Sequence, residues 1–301
     1  MDVPVNEIVT GRKTFFIMPD SSLMPNSFLE DFFSLGYECY YIEFDKRIDT
    51  KKMIEVILSL FKDIIVFFNV DSYLDDIKWD SYIEELLEKS ENVPLFGVMY
   101  SKRQTSADKA MIEKRFLYDM GLQCGCVQLE YKKNENFDLL SRTLYANQAQ
   151  GRRKTIRAMC NSACTYTFFK DNKEKSNSGT LQDISLSHFS ILKEKEDFNI
   201  KLYEKISDIH FNIKVFLFQS DAILVMERPV EDKMLYVFSF VNSSGANGLN
   251  DRVKHLFIPV LYKMISTACR ELIDEYYFKG DKLKVDDIDT NDLYVEAEKE
   301  D

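Results

Sequence analysis

The side chains of this sequence whose types and spacing could do chemistry are three arginines and a carboxyl–hydroxyl pair. Arg152, Arg153 and Arg157 lie in the run Gly151-Arg152-Arg153-Lys154-Thr155-Ile156-Arg157, so two guanidinium groups stand four residues apart and a third adjoins the first. A guanidinium is a planar fork of donors that pairs bidentately with phosphate oxygens. The same fork matches O6 and N7 of guanine, and its plane stacks on a purine face. Asp183 and Ser185 lie in Asp183-Ile184-Ser185-Leu186-Ser187-His188. Two residues apart on an extended strand, they are expected on the same side. A carboxylate accepts from guanine N1–H and N2–H, and a hydroxyl bonds a phosphate or a base edge. The residues between the two clusters read as a β-hairpin. The pattern predicts a site for a small, doubly phosphorylated, guanine-bearing ligand, with arginines closing over it and the strand meeting it from below.

Taken alone, Arg152 to Arg157 reads as a solvated basic linker, and Asp183 with Ser185 as a strand-end turn. Their joint occurrence ahead of an all-β segment favours the site. The rest of the chain sharpens the contrast. Its 301 residues carry a formal net charge of −11, so polymeric DNA or RNA is not an expected partner and a basic cluster stands out. Hydrophobic residues make up 45% and charged residues 30%, the balance of a soluble globular protein with room for two cores. The acidic start Met1-Asp2-Val3-Pro4 lacks the apolar core of a signal peptide, and no apolar run is long enough to span a bilayer, so a cytoplasmic location is expected. Cys39, Cys124, Cys126, Cys160, Cys164 and Cys269 sit in apolar or strand-like segments and read as buried thiols. With His188, His210 and His255 the only histidines, neither a metal site nor a cofactor is expected.

The elements that must position these residues fall into two sets. From residue 12 to 147, short apolar runs alternate with amphipathic ones. Strands are predicted at Thr14–Met18, Cys39–Phe44, Asp63–Phe68, Leu95–Tyr100 and Cys126–Glu130, and helices at Ser27–Leu35, Thr50–Phe61, Trp79–Lys89, Lys109–Met120 and Phe137–Gln148. Five strand–helix units in order imply an α/β fold with a doubly wound, five-stranded parallel sheet over residues 1–147. Residues 148–279 change character. Arg153–Phe169, Gly179–Ser190, Asn199–Tyr203, Phe211–Phe218, Ala222–Glu227 and Leu235–Val241 predict an antiparallel sheet or barrel, and Asp251–Tyr277 a long helix containing Pro259. Residues 280–301 form an acidic tail expected to be disordered.

The second half resembles a PilZ domain, the bacterial receptor module for cyclic di-GMP. That family's pattern is a double arginine with another arginine four residues past the second, then an acid or Asn, any residue, Ser, two residues and Gly. Arg152, Arg153 and Arg157 match the first part, and Asp183 and Ser185 the second, while His188 stands where the pattern has glycine. Val225-Met226-Glu227-Arg228 and Tyr236-Val237-Phe238-Ser239-Phe240 loosely resemble the family's later strands. The resemblance spans residues 150 to 270. It implies a cytoplasmic, non-enzymatic effector that binds cyclic di-GMP through Arg152, Arg153, Arg157, Asp183, Ser185 and His188, acts on a downstream protein and regulates motility, attachment or virulence. His188 is expected to shape the pocket, either stacking on a guanine or occupying the ligand's space. Related domains with incomplete motifs imply the alternative of a ligand-independent interaction scaffold.

By element order, the first half resembles the receiver domain of bacterial two-component regulators. Phosphoryl acceptance there needs acids after the first strand, an Asp ending the third, a hydroxyl after the fourth and a Lys after the fifth. This sequence offers only Asp20 after the first strand, Phe68 or Asn69 at the acceptor position with Asp71 beyond it, Ser101 after the fourth, and Glu130 near the lysine position. A degenerate receiver-like domain serving in protein contact is therefore expected, with a phosphorylation-driven regulator the less favoured reading. No glycine-rich phosphate loop or nucleophile–base pair points to an enzyme.

Overall fold

The computed structural model describes residues 11–43, 48–74, 77–89, 94–103, 105–151, 153–170, 175–194 and 200–279. Arg152 and the acidic tail from residue 280 lie outside the described residues. The chain forms two compact units, one of residues up to Lys154 together with those from Cys269 on, the other Thr155–Ala268.

In the first unit the chain runs β1 (Thr14–Ile17), α1 (Ser27–Ser34), β2 (Cys39–Ile42), α2 (Thr50–Leu60), β3 (Ile65–Asn69), α3 (Trp79–Lys89), β4 (Leu95–Ser101), α4 (Ser106–Glu113), a π-helical stretch Lys114–Asp119, β5 (Gly125–Leu129) and α5 (Lys133–Ala146). The five strands are parallel in the order β2-β1-β3-β4-β5. Both faces of this sheet are covered, which explains its uninterrupted apolar runs. Phe15, Ile17, Val66, Phe68 and Val98 pack under α2 and α3. Phe16 points to the other face, stacked on Phe32 of α1, which stacks on Phe137 of α5.

Helix starts follow local chemistry. Asp49 accepts from the backbone N–H groups of Lys51 and Lys52 and caps α2. Thr105 accepts from Asp108 N–H and caps α4. The expected helix Lys109–Met120 therefore begins earlier, at Ser106, and its second half is the π-helical stretch. The fifth helix likewise begins at Lys133, before the expected Phe137.

The second unit contains β6 (Ala158–Met159), β7 (Cys164–Lys170), β8 (Lys175–Thr180), β9 (Asp183–Ile184), β10 (His188–Lys193), β11 (Lys205–Ile213), β12 (Phe216–Val230) and β13 (Lys233–Val241). They form one sheet in the order β6-β9-β10-β13-β12-β11-β7-β8, antiparallel throughout. Only Leu181 and Gln182 separate β8, at one end of that order, from β9 near the other end. The three Cα–Cα steps from Thr180 to Asp183 span no more than about 11 Å, so the sheet must curl into a partial barrel. Leu181 N–H bonds Cys164 O at 2.9 Å and Cys160 N–H bonds Gln182 O at 3.0 Å, tying this crossing to its neighbours. Inside, Phe189 stacks on Phe238 and Phe211 on Phe218, each with ring centroids 4.8 Å apart.

Two predicted strands are corrected. Phe211–Phe218 is not one strand but the tip of the β11–β12 hairpin, with Ile213 opposite Phe216 and Lys214 at φ 58°. Within Asn199–Tyr203, the described residues from Ile200 to Tyr203 form no strand; Glu204 N–H closes a turn onto Lys201 O.

The long helix, α6 (Asp251–Lys279), lies within residues 148–279, the expected second domain. Its early part serves the β unit, where Phe257 stacks on Phe216. Cys269, Ile273 and Tyr277, four apart on one face, instead join the core of the α/β unit, and Tyr277 Oη accepts from Asp49 N–H at 2.9 Å. Among the described residues no helix is long and apolar enough to cross a membrane. All six cysteines are free; four are buried and Cys126 and Cys160 are half-buried.

Candidate functional site

The β9–β10 connection is built around Ser185. Strand pairing stops where Ile184 faces Phe189, so Ser185 lies past the end of β9 rather than on it. Its N–H donates to His188 O at 2.8 Å. Its hydroxyl accepts from His188 N–H at 3.0 Å and Ser187 N–H at 3.3 Å, and donates to His188 O at 3.1 Å. Ser185 is 1% exposed. The hydroxyl thus closes a tight turn.

Asp183 remains in the ladder, opposite Ser190 on β10 and Met159 on β6. Arg157 Nη1 lies 3.6 Å from Asp183 Oδ2, an ion pair longer than a hydrogen bond. The aspartate side chain is 13% exposed, and its Oδ1 is buried with no hydrogen-bond partner among the described residues. A buried carboxylate oxygen left without a donor is costly and calls for an explanation. The N1–H and N2–H edge of a guanine supplies such donors.

His188 begins β10 and sits opposite Ser239 of β13. Its backbone is not in the left-handed region, so the conformational freedom of a glycine is not required here. The imidazole is half-buried, and Nδ1 lies 2.8 Å from Ser187 Oγ. Burial and the nearby Arg157 charge push its pKa below the usual histidine value, with Asp183 opposing them.

Two hydroxyls that the sequence reading did not single out complete the cluster. Thr155, between the arginines in sequence, places Oγ1 2.7 Å from Ser187 Oγ and 3.4 Å from Ser185 Oγ. Only their polarity could have flagged them. The β unit therefore brings Arg157, Asp183, Ser185 and His188 together with Thr155 and Ser187. Arg153 belongs to the end of the other compact unit.

The α/β unit has its own charged cluster, at the carboxyl ends of its strands where the order reverses, the usual ligand position in such sheets. Asn69 ends β3 and is buried; its Nδ2 donates to Met18 O at 2.8 Å and its Oδ1 accepts from Asp71 N–H at 3.1 Å. Asp71 accepts from Ser101 N–H at 2.7 Å and Ser101 Oγ at 2.5 Å, and both its oxygens take a bond from Arg103. Burial alone would raise the Asp71 pKa; the bonds from Arg103 and Ser101 outweigh it and hold the carboxyl below its ordinary range. A pocket of about 40 Å³, lined in part by Asp20, Asn69, Asp71, Tyr100 and Ser101, lies beside this cluster. Glu130 pairs with Lys102 at 3.0 Å. Arg103 is the residue that the sequence reading missed. Among the described residues no group of three or more His, Cys, Asp or Glu side chains could hold a metal ion.

No protein-family model and no curated protein matches the chain. Among solved structures, it is similar to YcgR from Escherichia coli in complex with c-di-GMP, with 16% identity and a TM-score of 0.35. That match covers 42% of this chain and 51% of the other, so it spans about half of that protein's length. The PilZ domain of Escherichia coli YcgR with c-di-GMP matches at 19% identity and a TM-score of 0.34, covering 42% of this chain and 99% of that one. The MrkH–c-di-GMP complex of K. pneumonia matches at 12% identity and a TM-score of 0.34, covering 40% and 55%.

Proposed function

We propose that the β unit binds cyclic di-GMP and that the protein is a signalling effector, not an enzyme. The observation that carries this reading is the buried, donorless Oδ1 of Asp183 beside Arg157, within a sequence pattern already matched to that ligand. Arg152, Arg153 and Arg157 would grip phosphates and guanine edges, Asp183 would accept from a guanine, Ser185 would hold the turn, and His188 would contact the ligand's base or phosphate. Arg152 and Arg153 precede the division between the compact units and Arg157 follows it. One ligand held by residues on both sides would couple occupancy to the arrangement of the units and to binding of a downstream protein.

The α/β unit, in this reading, is a receiver-like protein-contact module. Asp71 is engaged by Arg103 and Ser101, and Asn69 ends the strand where a phosphoacceptor would stand, so phosphorylation is not the input. Incubation with a small phosphodonor and magnesium should leave no aspartyl phosphate.

The direct test is a thermal melt and a calorimetric titration with cyclic di-GMP. A ligand that prefers the native state raises the melting temperature, and Arg157→Ala should abolish that rise. A wild-type protein that neither shifts nor releases heat favours the ligand-independent scaffold. That second reading draws on Ser185, whose hydroxyl bonds lie within its own turn and to Thr155.

A further inference from the structure

The hydroxyls of Thr155 and Ser187 and the imidazole of His188 form a continuous chain, with steps of 2.7 Å and 2.8 Å. The chain starts within the arginine segment, two residues before Arg157, and ends on β10. Each hydroxyl has a single proton to give, so the direction of the chain is set by its last member. With Nδ1 unprotonated, Ser187 donates to His188 and Thr155 donates to Ser187. With Nδ1 protonated, the imidazole donates to Ser187, Ser187 turns its proton toward Thr155, and the Thr155 proton is released for another acceptor. The charged groups acting on the imidazole are Arg157, from the arginine segment, and Asp183, from β9; the residue opposite on β13 is Ser239, which does not titrate.

We propose that Thr155 and Ser187 are positioning residues of the ligand site, and that with His188 they form a relay that recognises a phosphodiester anion together with a proton. The relay rests on the reading of cyclic di-GMP as the ligand. An anion arriving beside Arg157 neutralises the charge that disfavours protonated His188, so the complex holds a proton that the free protein lacks. The released Thr155 O–H then donates to a phosphate oxygen. The sign follows from linkage: binding is tightest below the imidazole pKa of the free protein, weakens as pH rises through the higher pKa of the complex, and levels off above it.

The test is calorimetric titration of the full chain with cyclic di-GMP from pH 5.5 to 8.5 at constant ionic strength, each point in two buffers of different ionisation enthalpy. The wild type should take up a fraction of a proton in the lower part of this range, with affinity falling several-fold toward its upper end. His188→Gln and Ser187→Ala should flatten the pH profile and abolish the proton uptake, whatever affinity they keep. Thr155→Val should weaken binding at every pH, and Thr155→Ser should restore it. A flat wild-type profile without proton uptake, or a His188→Gln profile as steep as the wild type, overturns the relay and leaves the ligand assignment standing. Absence of wild-type binding at all pH values overturns both.

Discussion

Each compact unit holds an arginine–aspartate pair, and the two pairs are built to different ends. Asp71 is saturated: Arg103 reaches both of its oxygens, and Ser101 adds its N–H and hydroxyl. Asp183 is under-bonded: Arg157 stands off at 3.6 Å from one oxygen, and the other has no donor. Both carboxylates are largely covered, with 24% and 13% of their side-chain surface exposed, so burial does not separate them. What separates them is the supply of donors. A saturated carboxylate has nothing left to offer an incoming group, whereas an unsatisfied one gains by meeting donors. The α/β cluster is therefore a structural clasp, whereas the β-unit cluster keeps an unused acceptor, as the proposed ligand site requires.

The contrast is broken most strongly at Arg157. If it is a desolvated partner of the ligand's phosphate or guanine edge, Arg157→Ala should cost about 2–5 kcal/mol of cyclic di-GMP binding. Equal calorimetric affinity for wild type and variant would place the ligand elsewhere. The same substitution should barely alter the melting temperature of the free protein, since a 3.6 Å, partly exposed pair contributes little.

Asp183→Asn probes the other half. The shape is kept while the charge and one strong acceptor are lost, so affinity should fall by about 1.5–3 kcal/mol, the value of hydrogen bonds to charged groups. Relief of the donorless Oδ1 should leave the free protein as stable as the wild type or slightly more so. A variant with unchanged affinity and lower stability would mean that Asp183 is a structural residue, like Asp71.

How much of this contrast is legible in the sequence follows from the range of the interactions involved. The parallel strands are legible because burial on both faces writes them as unbroken apolar runs, such as Ile65 to Phe68. Helix α4 buries none of its residues, so periodicity missed its first turn and only the Thr105 cap announces it. The β11–β12 turn hides in an apolar run because Lys214 adopts a left-handed φ of 58° without a glycine or asparagine to signal it. Arg157, Asp183, Ser185 and His188 are singled out by spacing, and they lie together in the β unit. The turn that Ser185 closes is not legible, because it is set by where the β9 ladder ends, one residue before it. Arg103 escaped notice because its partner is 32 residues away in sequence, and nothing local distinguishes it from a surface arginine.

The smallest expected effect lies at the saturated pair, and its sign is fixed. Asp71 is held below its ordinary pKa by Arg103 and Ser101. A carboxyl whose folded pKa is depressed contributes stability that is fully present above its unfolded value, about 3.9, and is lost as pH falls through the folded one. Arg103→Ala should therefore destabilise the protein by about 1 kcal/mol at neutral pH, read from urea midpoints. Its deficit relative to wild type should shrink as pH falls below about 4, where the unfolded carboxyl protonates and the advantage of the native pair is withdrawn. Cyclic di-GMP affinity should be untouched, because neither Arg103 nor Asp71 is among the residues proposed to hold the ligand. A deficit that stays constant from pH 6 to pH 3 would mean that Arg103 acts through packing over the Tyr100 ring, whose centroid lies 5.3 Å from its guanidinium carbon, and not through charge.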